Sequence, residues 1–179
     1  ITPSAAQFNS EKLNWLNAHY LRRTDTARLL ALVGPRLAAR GVTVTAEPSL
    51  AAIIELHRER VTNLNELADV AEVFYRDLQP KAELLAKHLS SETLPMLREF
   101  AAGLAGISWE AAAIGALIKQ CVARHGLKMP RLAMPLRVLL TGLEQTPSVD
   151  ALIAVFPRSV VIERLARAER VAVSPGSPV

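Results

Sequence analysis

Short apolar segments, each bounded by residues that start or stop a helix, most restrict the fold of this chain. One such segment, WEAAAIGALIKQCVARHG, follows Ser108 and ends with Arg124, His125 and Gly126. Serine favours a helix start, whereas cations followed by glycine favour a helix end. Aromatic residues make up only 4% of the chain, so leucine, alanine, valine and isoleucine must fill the core. Few runs alternate as strands do, and the sequence therefore predicts an all-α fold of two packed helical subdomains.

The same signals predict where most helices begin and end. Asn63, followed three residues later by Glu66, has the form of a capping box, and its helix is expected to reach Tyr75. The Gly34-Pro35 pair is expected to break the second helix, because proline lacks the backbone donor that a helix interior needs. Helix starts are predicted at Ser10, Asp25, Ser49, Asn63, Ser108, Ser148 and Ser159.

A boundary between two groups of helices is predicted at Ser90 and Ser91, which introduce the segment SSETLPML. The first subdomain then covers residues 25–90 and the second covers residues 91–171. The last segment, VAVSPGSPV, has the composition of a frayed tail, which is predicted over residues 172–179.

Positive charge is concentrated in two segments, although the formal net charge is only +4. Residues 111–143 contain five cations and no acidic residue, and residues 21–40 contain five arginines and one aspartate. Such segments create a local positive potential that attracts a phosphate backbone. Solvated helix faces have the same composition, so charge alone leaves both interpretations open.

No recognisable catalytic motif occurs, so we expect a binding protein with no catalytic residue, metal site or cofactor in this chain. The segment AAGLAGIS lacks the lysine of a phosphate-binding loop. Cys121 lies among apolar residues and is expected to be a small buried core residue. Trp15 and Trp109 are expected to anchor the core. The histidines lie on separate predicted helices without metal-ligand spacing: His19, His57, His88 and His125.

The cellular compartment is predicted from apolar run length and cysteine content. No apolar run approaches the roughly 20 residues that cross a bilayer. The single cysteine excludes an internal disulfide and is compatible with a reducing environment. We therefore expect a cytoplasmic protein with no membrane partner.

The segment KMPRLAMPLRVLLTG, residues 128–142, contains three cations, two prolines and no carboxylate. Because proline is favoured in the first turn of a helix, MPRL and MPLR each predict a helix start. Free N–H groups gather at a helix start, and a nearby arginine adds a planar set of donors. That combination suits phosphates and the edges of unstacked bases. The alternative is that proline, threonine and glycine simply turn the chain here.

Four successive segments, the third of which contains a further matching phrase, resemble one family, the C-terminal anticodon-binding region of bacterial glutamyl-tRNA synthetases. KLNWLNAHYLR, within residues 1–24, is similar to the end of the domain that contacts the acceptor-stem region of tRNA. LHRERVTNLNELADVAEVFY is similar to the first anticodon-binding subdomain. SWEAAAIGALIKQCVARHGLKMPRLAMPLRVLLTGLEQTP, which contains the phrases MPLRVLLTG and TP, is similar to the second, and VIERLARA to the closing helix. The resemblance extends from about Phe8 to Arg170.

The resemblance implies a helical fold that grips the unpaired anticodon loop of tRNA(Glu), and it assigns site residues. Arg60 aligns with an arginine that contacts the last anticodon base and that is typical of enzymes discriminating against tRNA(Gln). The other anticodon-binding residues it implies are Arg137, Thr146 and Val149, the last in place of the usual leucine. From charge alone, we add three candidate contacts to the tRNA backbone: Arg58, Lys128 and Arg131.

The resemblance also implies what this segment lacks. The family's catalytic domain has HIGH-like and KMSKS-like ATP motifs, and neither occurs in this sequence. The segment itself is therefore expected to be non-catalytic. ATP and Mg²⁺ would be bound by the catalytic domain of the same parent chain. The segment itself would recognise tRNA(Glu) and, in the whole enzyme, help to position the acceptor end over the catalytic site.

Two other interpretations remain to be weighed. A helical protein-interaction scaffold would carry the cations as ordinary surface charge and would use an exposed apolar groove. A DNA reader of the helix-turn-helix type is less favoured, because no predicted helix has a basic, amide-rich N-terminal face. No DNA partner is expected.

Overall fold

Helices account for all the regular secondary structure of the residues that this computed structural model describes, 10–77 and 79–173. The all-α prediction is therefore confirmed over those residues. The chain divides into two compact units, Ile1–Tyr75 and Arg76–Val179.

The first unit is built from α1 (Ser10–Arg23), α2 (Thr26–Ala39), α3 (Leu50–His57) and α4 (Leu64–Tyr75). Helices α2, α3 and α4 pack against one another. Their apolar faces form the core, whose fully buried members include Val33, Leu37, Ile53, Ile54 and Leu67.

The second unit is built around one central helix. Its elements are α5 (Ala82–His88), α6 (Thr93–Gly103) with a short 3₁₀ turn (Leu104–Gly106), α7 (Ala111–Arg124), α8 (Pro130–Thr141), α9 (Val149–Val155), α10 (Arg158–Leu165) and α11 (Arg167–Val173). Helix α8 packs against α5, α6, α7, α9 and α10. Most of its side chains are buried as a result, including Leu132, Leu136 and Val138.

Local capping chemistry explains several helix starts. Asn63 Oδ1 accepts hydrogen bonds from the backbone N–H groups of Asn65 and Glu66, both at 3.0 Å. The side chain of Glu66 accepts a hydrogen bond from the N–H of Thr62 at 2.7 Å. The predicted capping box therefore starts α4, except that Glu66 bonds to the residue before Asn63 and not to Asn63 itself. Asp25 caps α2 by accepting the N–H of Ala27 at 2.8 Å.

Other predicted helix starts are displaced. Helix α7 begins at Ala111 after Glu110, and α10 begins at Arg158 after Pro157, so neither Ser108 nor Ser159 is the cap. Ser49 is the cap of α3, as predicted, and that helix ends at His57. Ser148 precedes α9 without a side-chain capping bond.

Two predictions made from prolines are wrong, the helix break at Gly34-Pro35 and the second helix start in MPLR. Pro35 lies inside α2, and Pro135 lies inside α8, which is one continuous helix from Pro130. The fixed φ of proline is itself helical, so the helix continues when burial offsets the lost hydrogen bond, which costs about 3 kcal/mol. Only Pro130 acts as a helix start in the segment KMPRLAMPLRVLLTG.

The boundary between the compact units also differs from the predicted one. It lies between Tyr75 and Arg76, because α5 packs against α8 of the second unit. Of the predicted tail 172–179, the first two residues continue α11, and residues 174–179 lie outside the described residues. Residues 1–9 of the predicted stem-contact segment lie outside them as well.

The expected role of Trp15 as a core anchor is wrong. Its side chain is 67% exposed and stacks on His19, one turn further along α1, with ring centroids 5.8 Å apart. The buried face of α1 is instead formed by Ala18 and Leu21. Spacing alone does not show which of two apolar faces of a helix is covered.

Candidate nucleic-acid interface

In the first unit, Arg60 follows the end of α3 and presents its side chain to solvent. Its backbone N–H donates to the carbonyl of His57 at 2.8 Å, which holds the turn after the helix. Within the described residues its guanidinium makes no ion pair, whereas the adjacent Glu59 pairs with Arg22 at 3.3 Å. The donors of Arg60 are therefore available to a ligand.

His57 lies beneath this turn as a buried, neutral ring. It is 6% exposed, and its ring packs in a T-shaped arrangement with Phe74, with the ring centroids 5.8 Å apart. Burial, and secondarily the charge of Arg60, lowers the pKa of His57 from 6.5 to about 4. Its Nε2 atom is buried without a hydrogen-bond partner. The apolar surroundings of the ring support the turn that carries Arg60.

Arg58 is used within the fold of the first unit. Its guanidinium donates to the carbonyl oxygens of Leu21, at 2.6 Å, and of Thr24, and it pairs with Glu55 at 2.8 Å. These bonds satisfy carbonyls at the end of α1, and only 11% of the side chain is exposed. The geometry gives Arg58 a structural role, so we do not include it among the proposed RNA contacts.

In the second unit, Arg137 lies in the interior of α8 and is half-buried. Its Nη1 lies 3.7 Å from the sulfur of Met134, a weak acceptor, and it makes no ion pair within the described chain. Its Nε is buried and has no hydrogen-bond partner. A guanidinium held on a packed helix with unused donors is suited to binding an external acceptor.

Arg137 and Val149 line the same cavity, of about 250 Å³. Val149 is the first residue of α9 and is 7% exposed, so it forms part of the apolar floor of the cavity. The other lining residues are Gly115, Ile118, Lys119, Met129, Ala133, Ser148 and Asp150. The predicted pair thus meets in space although its members belong to different helices.

Thr146 precedes this cavity in sequence but is not part of its lining. It is half-buried, and its hydroxyl donates to the carbonyl of Pro147 at 2.9 Å. The structure therefore brings two of the three predicted residues of the second unit together at the cavity.

The two remaining basic candidates differ in their pairing. Arg131 pairs with Glu92 at 2.6 Å, and both side chains are substantially exposed. An exposed pair of this kind contributes about 0–1 kcal/mol and can exchange for a phosphate. Lys128 is exposed and, among the described residues, has no carboxylate partner.

The structure also shows two cavity residues that the sequence analysis did not select, Lys119 and Asp150. Lys119 was counted in the acid-poor segment, but only the packing of α7 beside α9 places it in the cavity. No sequence pattern pointed to Asp150, because its place in the cavity depends on the same packing.

Other classes of site find no support in the described part of the chain. No group of three or more potential metal ligands is present there, and no helix within it is long and apolar enough to span a bilayer. Cys121 is fully buried as predicted, and burial raises the pKa of its thiol. Trp109 is half-buried and donates to the carbonyl of Phe156 at 2.8 Å.

Comparison with known proteins identifies the family. Residues 28–169 match the anticodon binding domain family. The glutamate–tRNA ligase of Dechloromonas aromatica (strain RCB) is 55% identical over 166 residues, which cover 93% of this chain and 36% of that protein. The glutamate–tRNA ligase of Azoarcus sp. (strain BH72) is 50% identical over 167 residues, with the same coverage of 93% and 36%.

A solved structure agrees with these sequence matches. The crystal structure of a glutamate tRNA ligase from Elizabethkingia meningosepticum CCUG26117 in complex with its amino acid superposes with a TM-score of 0.82 at 26% identity. The match covers 95% of this chain and 34% of that one. The chain thus spans about a third of the length of the relatives it matches. These matches do not favour the alternative of a helical protein-interaction scaffold. The chain belongs to the anticodon binding domain family, in the form found in glutamate–tRNA ligases.

Proposed function

We propose that this chain recognises the anticodon of tRNA(Glu) as the non-catalytic part of a cytoplasmic glutamate–tRNA ligase. The observation that carries the proposal is Arg137, whose guanidinium lines a cavity while its buried Nε has no hydrogen-bond partner among the described residues. The catalytic domain of the parent enzyme would hold ATP, Mg²⁺ and glutamate. The chain's own task would be to bind the anticodon loop and so orient the bound tRNA.

The geometry suits single-stranded RNA better than a duplex. A cavity of about 250 Å³ can admit one unstacked base, whereas duplex readers place a helix along a groove. The apolar wall formed by Val149 and Met129 would contact the base, and Arg137 would donate to an acceptor on its edge. Lys128 and Arg131 would contact the phosphates nearby in sequence.

For Arg60, we propose discrimination between tRNA(Glu) and tRNA(Gln). An arginine donates hydrogen bonds and accepts none. On the Watson–Crick edge cytosine presents two acceptors, O2 and N3, whereas guanine presents only O6 beside two donors, so an arginine that faces this edge favours cytosine. Under this proposal it contacts the last anticodon base, which is cytosine in tRNA(Glu) and guanine in tRNA(Gln). The support comes from its exposed guanidinium, which has no ion pair within the described residues, and from its place in the HRERV segment.

The test is a filter-binding titration of the chain with tRNA(Glu) and tRNA(Gln) at several salt concentrations. We expect tRNA(Glu) to bind more tightly, and the affinity to fall as salt rises because phosphate contacts release counterions. Arg60→Gln should reduce the ratio of the two affinities about tenfold or more, since a bidentate arginine–base contact contributes about 1–3 kcal/mol of discrimination.

The matched control is Arg28→Gln, which removes an exposed arginine of the same unit that has no carboxylate partner in the described chain. Both variants lose one charge, so both should weaken binding slightly, but only Arg60→Gln should alter the preference. An unchanged preference in Arg60→Gln would refute the role of Arg60. Equal, salt-insensitive binding of both tRNAs by the wild type would refute the proposed function itself.

A further inference from the structure

The cavity beside Arg137 contains an acidic group as well as basic ones. Asp150, the second residue of α9, is half-buried and provides the only carboxylate among the lining residues. Opposite charges that line one small cavity usually neutralise each other by pairing.

Here they do not pair. The carboxylate of Asp150 forms no ion pair or hydrogen bond within the described residues. It therefore pairs with neither Arg137 nor Lys119, although all three residues line the cavity. The cavity therefore presents an acceptor-only group and donor-only groups, and within the described residues the one contact these side-chain groups make is that of Arg137 with the weak acceptor sulfur of Met134.

Gly115 allows this arrangement. A Cβ atom added at residue 115 would lie 3.2 Å from Oδ2 of Asp150, which is tighter than ordinary contact, and 3.5 Å from its Cβ, which is ordinary contact. The absence of a side chain on α7 thus lets the carboxylate sit directly against that helix. Alanine at residue 115 would shift the carboxylate by a few tenths of an ångström without changing its charge.

The combination of donors and an acceptor selects the kind of ligand group. A phosphate offers only acceptors and would be repelled by Asp150, whereas the edge of a nucleobase presents N–H groups beside carbonyl or ring-nitrogen acceptors. We propose that Asp150 is a specificity-determining residue of this pocket. Its carboxylate accepts an N–H from one anticodon base while Arg137 donates to an acceptor on the same edge. This inference rests on the proposed function.

A competing explanation assigns Asp150 only to the helix that it begins. A carboxylate in the first turn interacts favourably with the positive end of the helix dipole, by about 0.3–1 kcal/mol. That explanation predicts a small loss of stability when Asp150 is changed. It predicts no effect that depends on the identity of a base, and this difference makes the two explanations separable.

The test uses the 179-residue chain and a 17-nucleotide anticodon stem–loop of tRNA(Glu), together with the single-base variants at each of the three anticodon positions. Affinity is measured for the wild type and for Asp150→Asn, which preserves the shape of the side chain but replaces one carboxylate oxygen, an acceptor, with an NH₂ group, a donor. We expect about a tenfold loss for the original stem–loop, because a charge-assisted bond to a base N–H is lost. Replacing the base that Asp150 reads should abolish that tenfold difference, and replacing the other two should not.

Two further variants complete the design. Glu110→Gln removes an exposed carboxylate of the same unit outside the cavity lining, and it should leave the base preferences unchanged. Gly115→Ala keeps the charge of Asp150 but moves it, and it should weaken recognition at the same anticodon position as Asp150→Asn. Thermal unfolding followed by circular dichroism identifies any variant that fails to fold. If Asp150→Asn does not fold, Gly115→Ala decides the question.

The possible results separate this inference from the proposed function. If Asp150→Asn binds every stem–loop more tightly, as Glu110→Gln would, the carboxylate only repels the backbone and the inference is overturned. An affinity of Asp150→Asn equal to that of the wild type overturns the inference too. In that case, if a further variant, Arg137→Met, still changes the base preferences, the proposed function remains intact. A wild-type chain with no preference among the stem–loops would overturn both.

Discussion

The buried ring of His57 should make the first unit sensitive to mild acid. In the folded chain the pKa of His57 is lowered to about 4, mainly by burial, whereas an exposed histidine titrates near 6.5. The unfolded chain therefore binds one more proton between these values, and the free energy of unfolding falls as pH drops from about 6.5 towards 4. Above pH 6.5 the ring is neutral in both states, so its contribution to stability is complete there.

The size of the effect follows from the difference between the two pKa values. Each unit of pKa difference corresponds to about 1.4 kcal/mol, so the first unit should lose about 2 kcal/mol between pH 7 and pH 4.5 through His57 alone. The assay is urea unfolding followed by circular dichroism at several pH values. His57→Phe is the reference variant, because phenylalanine fills a similar volume beside Phe74 and does not titrate.

Other groups also titrate as the pH falls, so the quantity to compare is the difference in the free energy of unfolding between the wild type and His57→Phe. The pKa of Glu55 is lowered, chiefly by a hydrogen bond from Thr26, so its contribution is lost only below about pH 4.5 and is common to both proteins. The wild type should lose stability more steeply than the variant between pH 6.5 and 4.5. Parallel pH profiles for the two proteins would refute the reasoning.

Two further predictions concern residues that hold each unit together. Asn63→Ala should destabilise the first unit by about 1 kcal/mol in urea unfolding, since two N–H groups at the start of α4 lose their acceptor. The control is Asn65→Ala, which lies within α4 and is not a cap, and it should destabilise the unit by less than half as much. Arg164→Met should destabilise the second unit by about 3 kcal/mol, because the buried guanidinium donates to the carbonyls of Leu140 and Arg76. The exposed Arg170 provides the control as Arg170→Met, and a loss of similar size there would contradict the role of Arg164.

The features predicted correctly from the sequence are those governed by local chemistry. The box of Asn63 and Glu66 begins α4, and Gly126 adopts a φ of +62° at the end of α7, as a glycine after a helix commonly does. The proline breaks failed because their outcome depends on tertiary packing. Pro135 lies in a helix covered by several neighbours, and no local pattern reports that burial.

The candidate site divides in the same way. Arg137 and Val149 were predicted from a resemblance, and the structure places both at one cavity. Asp150 and Gly115 could not have been found from the sequence, because their proximity arises from the packing of α7 against α9. The discriminating role of Arg60 remains a prediction.

The two arginines proposed to read the anticodon differ in how freely they move before RNA arrives. Arg137 projects from the most enclosed helix of its unit, and the base of its guanidinium is already buried. Arg60 projects into solvent from a short turn, so ordering it on binding costs about 0.5–1.5 kcal/mol of side-chain entropy. Binding of a base by Arg137 should therefore have the more favourable entropy. Calorimetry across temperatures would measure the binding entropy and so distinguish a preorganised side chain from one that becomes ordered only on binding.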